Sequence, residues 1–324
     1  MTQLTVVYHL YKGYDHSLKS LESLIKQKDK NFQMIFIADA VDKKIKTIFS
    51  DFDFSHNFPN AIFINIENYL GHSYSYNFAT QIAKTPYIYF ASSSCVYEPN
   101  FIEKINHAIN EENSDLIVFD EKNNHFKKEL NILKNENYLN ELKILINSSH
   151  LNKVFKVDFL NKNNIRWVNF KHYPLVYLYE VYSKLNTVKF LDEALFAIHT
   201  AKKPTYNIAD LIYQFEYLNE KYENSPFYQK YIEQIKYLAI RTITFKYLRK
   251  IYRKYGDVKH NVFKNSFNFA LNYLNENYPE FRNNYYLDEK HNSDDPLLIS
   301  YIKNFSNSRH TINEFKKILA KYDN

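Results

Sequence analysis

A chain of 324 residues with 45% hydrophobic side chains is long enough to bury a sizeable core, which excludes wholesale disorder. Its formal charge of +6 is modest for that length, and no helix-turn-helix, zinc finger or RNA-binding aromatic motif stands out, so nucleic acid is not expected as a partner. The single cysteine, Cys95, excludes an intramolecular disulfide and a cysteine-rich zinc site, and it suits a reducing compartment.

The N-terminus, "MTQLTVVYHLYKGYDHS", has no cationic start followed by a long apolar core, so no signal peptide is expected. No run approaches the roughly 18 apolar residues that cross a bilayer. These features lead to the expectation of a soluble, cytoplasmic protein. The bias toward Tyr, Phe, Lys, Asn and Ile fits an AT-rich coding genome, so the tyrosines alone are not evidence of carbohydrate stacking.

In chain order, "LTVVYHL" reads as a short apolar strand. "HSLKSLESLIKQK" then places Leu18, Leu21, Leu24 and Ile25 at helical spacing. "FQMIFIAD" is a second strand ending on Asp39, "VDKKIKTIFSDF" a helix and "AIFINIE" a third strand. "SYSYNFATQIAK" is helical and is broken by Pro86 before the strand "YIYFA". "PNFIEKINHAINEE" is again helical, and "DLIVFD" is another strand. This alternation predicts an α/β fold with a mostly parallel, doubly wound sheet. Ligands bind such sheets at the carboxyl ends of the strands, which places Asp39, the "SSSC" segment (92–95) and the loop after "VYHL" on the working edge.

"DEKNNHFKKELNILKNENY" reads as a solvated excursion. From Pro204 onward, long helix-like segments follow with no clear strand between them, which predicts a boundary near "AKKPTYN" dividing 1–203 from a helical region, 204–324.

The order of these segments resembles the family-2 glycosyltransferases of the GT-A fold over roughly the first 200 residues. "LTVVYHLYK" is similar to the family's opening strand and nucleotide-binding loop, with Tyr11 at the usual tyrosine and His9 where proline is common. "SLESLIKQ" resembles its first helix, with Ser23 and Gln27 in place. "FQMIFIADAVDKK" resembles the strand ending in an Asp-Asp-Gly-Ser turn; Asp39 matches the second aspartate, while Ala38 and Ala40 replace its neighbours. "ENYLGHSYSYNFATQIAKTPYIYF" matches with Asn68, Gly71, Ser73 and Asn77. The resemblance implies a nucleotide-sugar donor held by Tyr11, Asp39, Asn68, Gly71, Asn77, Ser92 and Ser94, and a glycan or glycolipid acceptor. Asp39 has a second reading, as the cap of the helix that follows it.

The chain departs from the family at its chemical core. Where the family's Asp-x-Asp pair holds a divalent metal against the donor diphosphate, this chain has Ser92 and Ser94, followed by Cys95. Neutral hydroxyls do not replace the anionic oxygens a hard cation prefers, so Mn or Mg is not expected to bind tightly and no metal ligand is assigned. Glu98, the nearest acid, falls one turn too late. Lys12, Arg166 or hydroxyls are then left to offset phosphate charge.

Where the family shows a Glu-Asp pair carrying the base, "NFKHYPLVY" offers His172 and Tyr173. Histidine can accept a proton near neutral pH, and His172 is the candidate base; its alternative is an ordinary loop residue. His199 falls where some relatives carry a histidine near the metal.

Residues 236–264 place Ile240, Ile243, Tyr247, Leu248, Ile251 and Tyr255 along one stripe, with Arg241, Lys246, Arg249, Lys250, Arg253 and Lys254 largely off it. Such a helix suits an anionic membrane surface at the inner face of the membrane, or packing of its stripe on the rest of the chain with a solvated basic face. Three readings follow: a glycosyltransferase for cell-surface polysaccharide assembly, a catalytically degenerate scaffold of the same fold, and a nucleotidyltransferase-like enzyme. The missing acids count against the third.

Overall fold

Every residue of β1 (Leu4–Leu10) is buried, as befits a strand with parallel neighbours on both sides. The structure is a computed structural model and describes residues 2–11, 17–41, 54–58, 60–122, 149–169, 174–199, 208–255, 260–288, 290 and 296–323. The helix expected over "VDKKIKTIFSDF" and most of the excursion after "DLIVFD" lie outside the described residues, as do Lys12, His172 and Tyr173. What is described falls into two compact units, a sheet unit within 2–199 and a helical unit within 208–323.

The sheet unit runs β1, α1 (Ser17–Ile25), β2 (Gln33–Asp39), α2 (Phe54–Asn57), β3 (Ile62–Ile66), α3 (His72–Ile82), β4 (Tyr87–Ala91), β5 (Cys95–Tyr97), α4 (Phe101–Glu111), β6 (Leu116–Glu121), β7 (Lys153–Lys156), α5 (Val157–Lys162), α6 (Leu175–Lys184) and β8 (Val188–Ile198). The strands form one sheet in the order β3-β2-β1-β4-β7-β6-β8-β5. β3, β2, β1 and β4 are parallel, with Val7 opposite Ile35 on one side and Phe90 on the other. Beyond β4 the sheet is mixed: β7 runs antiparallel to β4 and β6, β6 and β8 are parallel, and β5 returns antiparallel to β8.

Bulky β-formers explain the strands and helical periodicity explains α1, whose Leu21 and Leu24 are buried against the sheet core with Tyr8, Phe36, Tyr89, Phe101 and Phe119. After β1 the chain builds outward through β2 and β3, then returns to add β4 on the other side of β1. That reversal of strand order lies between β1 and β4, at whose carboxyl ends open α/β sheets bind ligands.

The helical unit contains α7 (Asp210–Tyr222), α8 (Pro226–Lys230), α9 (Ile232–Arg241), a π-helical turn over Thr242–Tyr247, α10 (Leu248–Tyr255), α11 (His260–Asn277), α12 (Pro296–Lys303) and α13 (Arg309–Asp323). The stripe Ile240, Ile243, Tyr247, Leu248 and Ile251 is buried inside this unit, so packing claims the apolar face and leaves Arg253 and Lys254 exposed. Among the described residues no helix is long and apolar enough to cross a membrane.

Candidate active site at the carboxyl edge of the sheet

Tyr11 follows the carboxyl end of β1, Asp39 is the last residue of the adjacent β2, and Ser92 follows β4 on the far side of β1. The half-buried Tyr11 ring packs on Tyr69, with centroids 4.1 Å apart and planes tilted by 36°. Sequence reasoning named Tyr11 and not its ring partner Tyr69; the available signal was a second tyrosine directly after the flagged Asn68, which is itself exposed.

Asp39 is fully buried. Its Oδ1 accepts the Leu70 N–H at 2.9 Å, and its Oδ2 accepts the Gly71 N–H at 2.7 Å and faces His9 Nε2 at 3.1 Å. An ionised carboxylate only accepts, so His9 carries its proton on Nε2. Burial pushes the Asp39 carboxyl up, but the bonds from His9, Leu70 and Gly71 outweigh it and hold the group below its usual range. The histidine at the family's proline position and the buried aspartate thus form one couple, which fastens the Leu70–Gly71 turn to the end of β2. Gly71 then opens α3 at φ 88° and ψ 170°, a region that essentially only glycine occupies. Ala40 adopts φ 50° where the family carries glycine.

The "SSSC" segment is set by α1. Ser20 Oγ donates to the Ser92 carbonyl at 3.0 Å, Ser23 Oγ accepts the Tyr97 N–H at 3.0 Å, and Gln27 donates to the Glu98 carbonyl at 2.7 Å. Gln27 also accepts the Ile102 N–H at 2.9 Å. Ser20 and Ser23 share one face of α1 and Gln27 follows just after its end, so Ser23 and Gln27 together place the strand end. Within the segment, Ser92 Oγ and Ser94 Oγ are 2.8 Å apart, and the Ser94 N–H donates to Ser92 Oγ at 3.2 Å. The His199 N–H donates to the Ser94 carbonyl at 2.8 Å, so the exposed His199 borders this segment.

No carboxylate lies within Ser92–Cys95. The Cys95 thiol is pushed up to about 12, chiefly by burial and then by Glu121, and stays protonated. Two hydroxyls bonded to each other and a neutral thiol do not fit a hard dication. Of the nearby acids, Glu98 pairs with Lys122 at 2.7 Å, and buried Glu121, which sequence reading passed over, accepts the Ile198 N–H at 3.2 Å through one oxygen. Among the described residues no three His, Cys, Asp or Glu gather as a metal would require.

Asn77 and Ser73 turn toward the segment after α5. Asn77 bonds the Trp167 backbone through both amide atoms, and Ser73 Oγ donates to the Val168 carbonyl at 2.5 Å. Arg166 donates to the Leu160 and Ile165 carbonyls at 3.4 and 2.8 Å and thereby finishes α5. Trp167 stacks on Tyr177 at 3.9 Å and meets Tyr76 and His150 edge-on. The structure therefore gathers Tyr11, the Asp39-held Asn68–Gly71 turn and Ser92 at neighbouring strand ends, and turns Asn77 to Trp167.

Open α/β sheets of many families carry ligands at this edge, and comparison with known proteins gives this one the GT-A class of fold. Residues 7–163 match the family model for glycosyl transferase family 2, and this region of the chain belongs to that family. No curated protein sequence matches the chain. The crystal structure of S. aureus TarS residues 1–349 in complex with UDP-GlcNAc aligns with a TM-score of 0.59 and 16% identity, covering 99% of this chain and 91% of that one. The longer TarS structure aligns at 0.57 and 16% identity, again over 99% of this chain but only 55% of its own. The mannosyltransferase PcManGT from Pyrobaculum calidifontis, in complex with GDP-Man and Mn2+, aligns at 0.53 and 9% identity over 73% of this chain and 72% of that one. These are likenesses of fold.

Proposed function

We propose that the chain transfers a sugar from a nucleotide-sugar donor to a glycan or glycolipid acceptor in cell-surface polysaccharide assembly, with 1–203 as the transfer domain and 204–324 as a helical extension. The observation that carries this reading is the meeting of Tyr11, the Asn68–Gly71 turn and Ser92 at the strand-order reversal of a family-2 domain. In it, Tyr11 and Tyr69 offer aromatic surface to the base, and Asp39 acts through the turn it holds. Ser92 and Ser94 donate hydrogen bonds to phosphate oxygens, which ionised carboxylates do not.

The acceptor hydroxyl attacks the anomeric carbon, its proton passes to a base for which His172 is the candidate, and the nucleoside diphosphate leaves with the bonding pair. The exposed Arg253 and Lys254 suit an anionic surface at the inner face of the membrane.

The self-paired Ser92 and Ser94 hydroxyls favour one second reading, a domain that binds nucleotide without turnover. Calorimetric titration of the full chain with nucleotides and nucleotide sugars, with and without manganese, followed by nucleotide-release assays on glycan and glycolipid acceptors, separates the two. Binding with release supports transfer; binding alone supports the scaffold; no nucleotide binding overturns both.

A further inference from the structure

The helical unit holds a cleft of about 860 Å3 that the transfer reading does not use. That size lies within the roughly 300–1,000 Å3 of small-ligand pockets. One wall runs from the end of α7 through α9, and the other comes from the end of α11 and residues 278–284.

Side-chain amides are the largest group in the lining: Asn219, Asn224, Gln229, Asn277, Asn283 and Asn284. An amide both donates and accepts, as a sugar hydroxyl does. Part of the set is fixed in place. Tyr228 donates to Asn219 Oδ1 at 2.5 Å, and Asn284 donates to the Glu233 carbonyl at 3.0 Å and to its carboxylate at 3.1 Å. Tyr228, Tyr278 and Phe281 are buried and give the cleft apolar surface.

Charge narrows the ligand class. Glu223, Glu233 and Glu280 line the cleft, whereas among its described lining residues Lys236 is the one cation, and it pairs with Glu233 at 3.5 Å. The carboxyl ends of α7 and α11 add partial negative charge, and the amino end of α9, at Ile232 and Glu233, adds partial positive charge that the Glu233 carboxylate answers. Phosphorylated ligands are repelled here, and an apolar ligand would strip water from the amides without replacing their hydrogen bonds. We infer that the cleft binds an uncharged oligosaccharide, apart from the donor nucleotide. The inference rests on the transfer reading only in choosing a glycan among polyhydroxylated ligands.

The test probes the full chain, without nucleotide, against immobilised uncharged hexose and N-acetylhexosamine oligosaccharides, their phosphorylated counterparts and unrelated peptides. Retention on uncharged glycans is expected, and Glu280→Lys with Asn283→Lys, both exposed positions, should weaken it at least tenfold with Tm and nucleotide affinity unchanged. Failure to retain any uncharged glycan, preference for phosphorylated counterparts, retention of peptide alone, or full binding by the variant overturns the inference. A chain that binds glycan in this cleft but transfers nothing counts against the transfer reading alone. One that transfers but binds no glycan here counts against the cleft alone.

Discussion

The Asn77 amide donates to the Trp167 carbonyl at 2.9 Å and accepts the Trp167 N–H at 2.8 Å, so one side chain on α3 closes a two-way bond with a backbone far along the chain. The amide does both at once, with its N–H and its carbonyl side by side, whereas a carboxylate cannot donate and a methyl does neither. Asn77→Ala should therefore leave two backbone groups unpaired and cost about 1–3 kcal/mol. Trp167 is the chain's only tryptophan, so its fluorescence reports this loss directly. A red-shifted emission and an earlier urea midpoint are expected, with Asn77→Asp between Asn77→Ala and the parent. Unchanged emission in Asn77→Ala would show that stacking on Tyr177 holds the segment unaided.

Asp39→Asn replaces a carboxylate that takes three donors with a group able to serve only some of them. A loss of about 2–3 kcal/mol is expected, as for buried charge-assisted bonds. Because the folded carboxyl lies below its ordinary value, its contribution is fully present above about pH 4 and is lost as pH falls through the folded value. Acid unfolding of Asp39→Asn should accordingly be flatter below about pH 4. Nucleotide affinity should fall as well, since the Asn68–Gly71 turn loses its anchor; unchanged affinity would confine Asp39 to a stabilising role.

His150 tests the opposite end of the titration range. Burial, and then Lys153, push its pKa down to about 3, and its Nε2 is buried without a hydrogen-bond partner among the described residues. The unfolded chain takes up a proton near the ordinary value of about 6.5, while the folded ring stays neutral. Stability should fall as pH drops from about 6.5 toward 3, by up to about 1.4 kcal/mol per pH unit. Urea unfolding across that window should show a shallower slope for His150→Phe.

Much of the edge was legible because its residues sit at strand ends, and strand ends follow from apolar runs. Tyr11, Asp39 and Ser92 could be placed that way. Roles set by distant partners could not. Nothing in "SYNFA" reveals that Asn77 serves Trp167, and nothing in "FIAD" reveals that Asp39 faces inward to His9. The antiparallel β7 and the short β5 also escaped, because each is too brief to show a period of two. The basic stripe was legible as amphipathic, but its sequence does not say whether protein or lipid covers the apolar side.

Ala40 holds φ 50° without a glycine's freedom. Left-handed backbone costs an L-residue roughly 1–2 kcal/mol, against roughly 0.5–1 kcal/mol for the extra chain entropy of glycine. Ala40→Gly should therefore stabilise the chain by up to about 1.5 kcal/mol, read as a later urea midpoint at unchanged slope.

The "SSSC" segment yields the test that bears most on chemistry. Ser92 and Ser94 present neutral dipoles and bond each other at 2.8 Å, and Cys95 keeps its proton, so nothing in the segment offers formal negative charge to a dication. Hydroxyls can instead donate to phosphate oxygens, so nucleotide binding should survive where metal dependence does not. Transfer, measured as nucleotide release, should persist in excess chelator. Ser92→Asp with Ser94→Asp should raise manganese affinity in calorimetry by an order of magnitude or more and weaken nucleotide binding when metal is withheld, because the new carboxylates repel the diphosphate. Transfer that stops in chelator and returns with manganese would mean that carboxylates outside Ser92–Cys95 hold the ion. Nucleotide affinity unchanged by the double substitution without metal would mean that the diphosphate lies elsewhere.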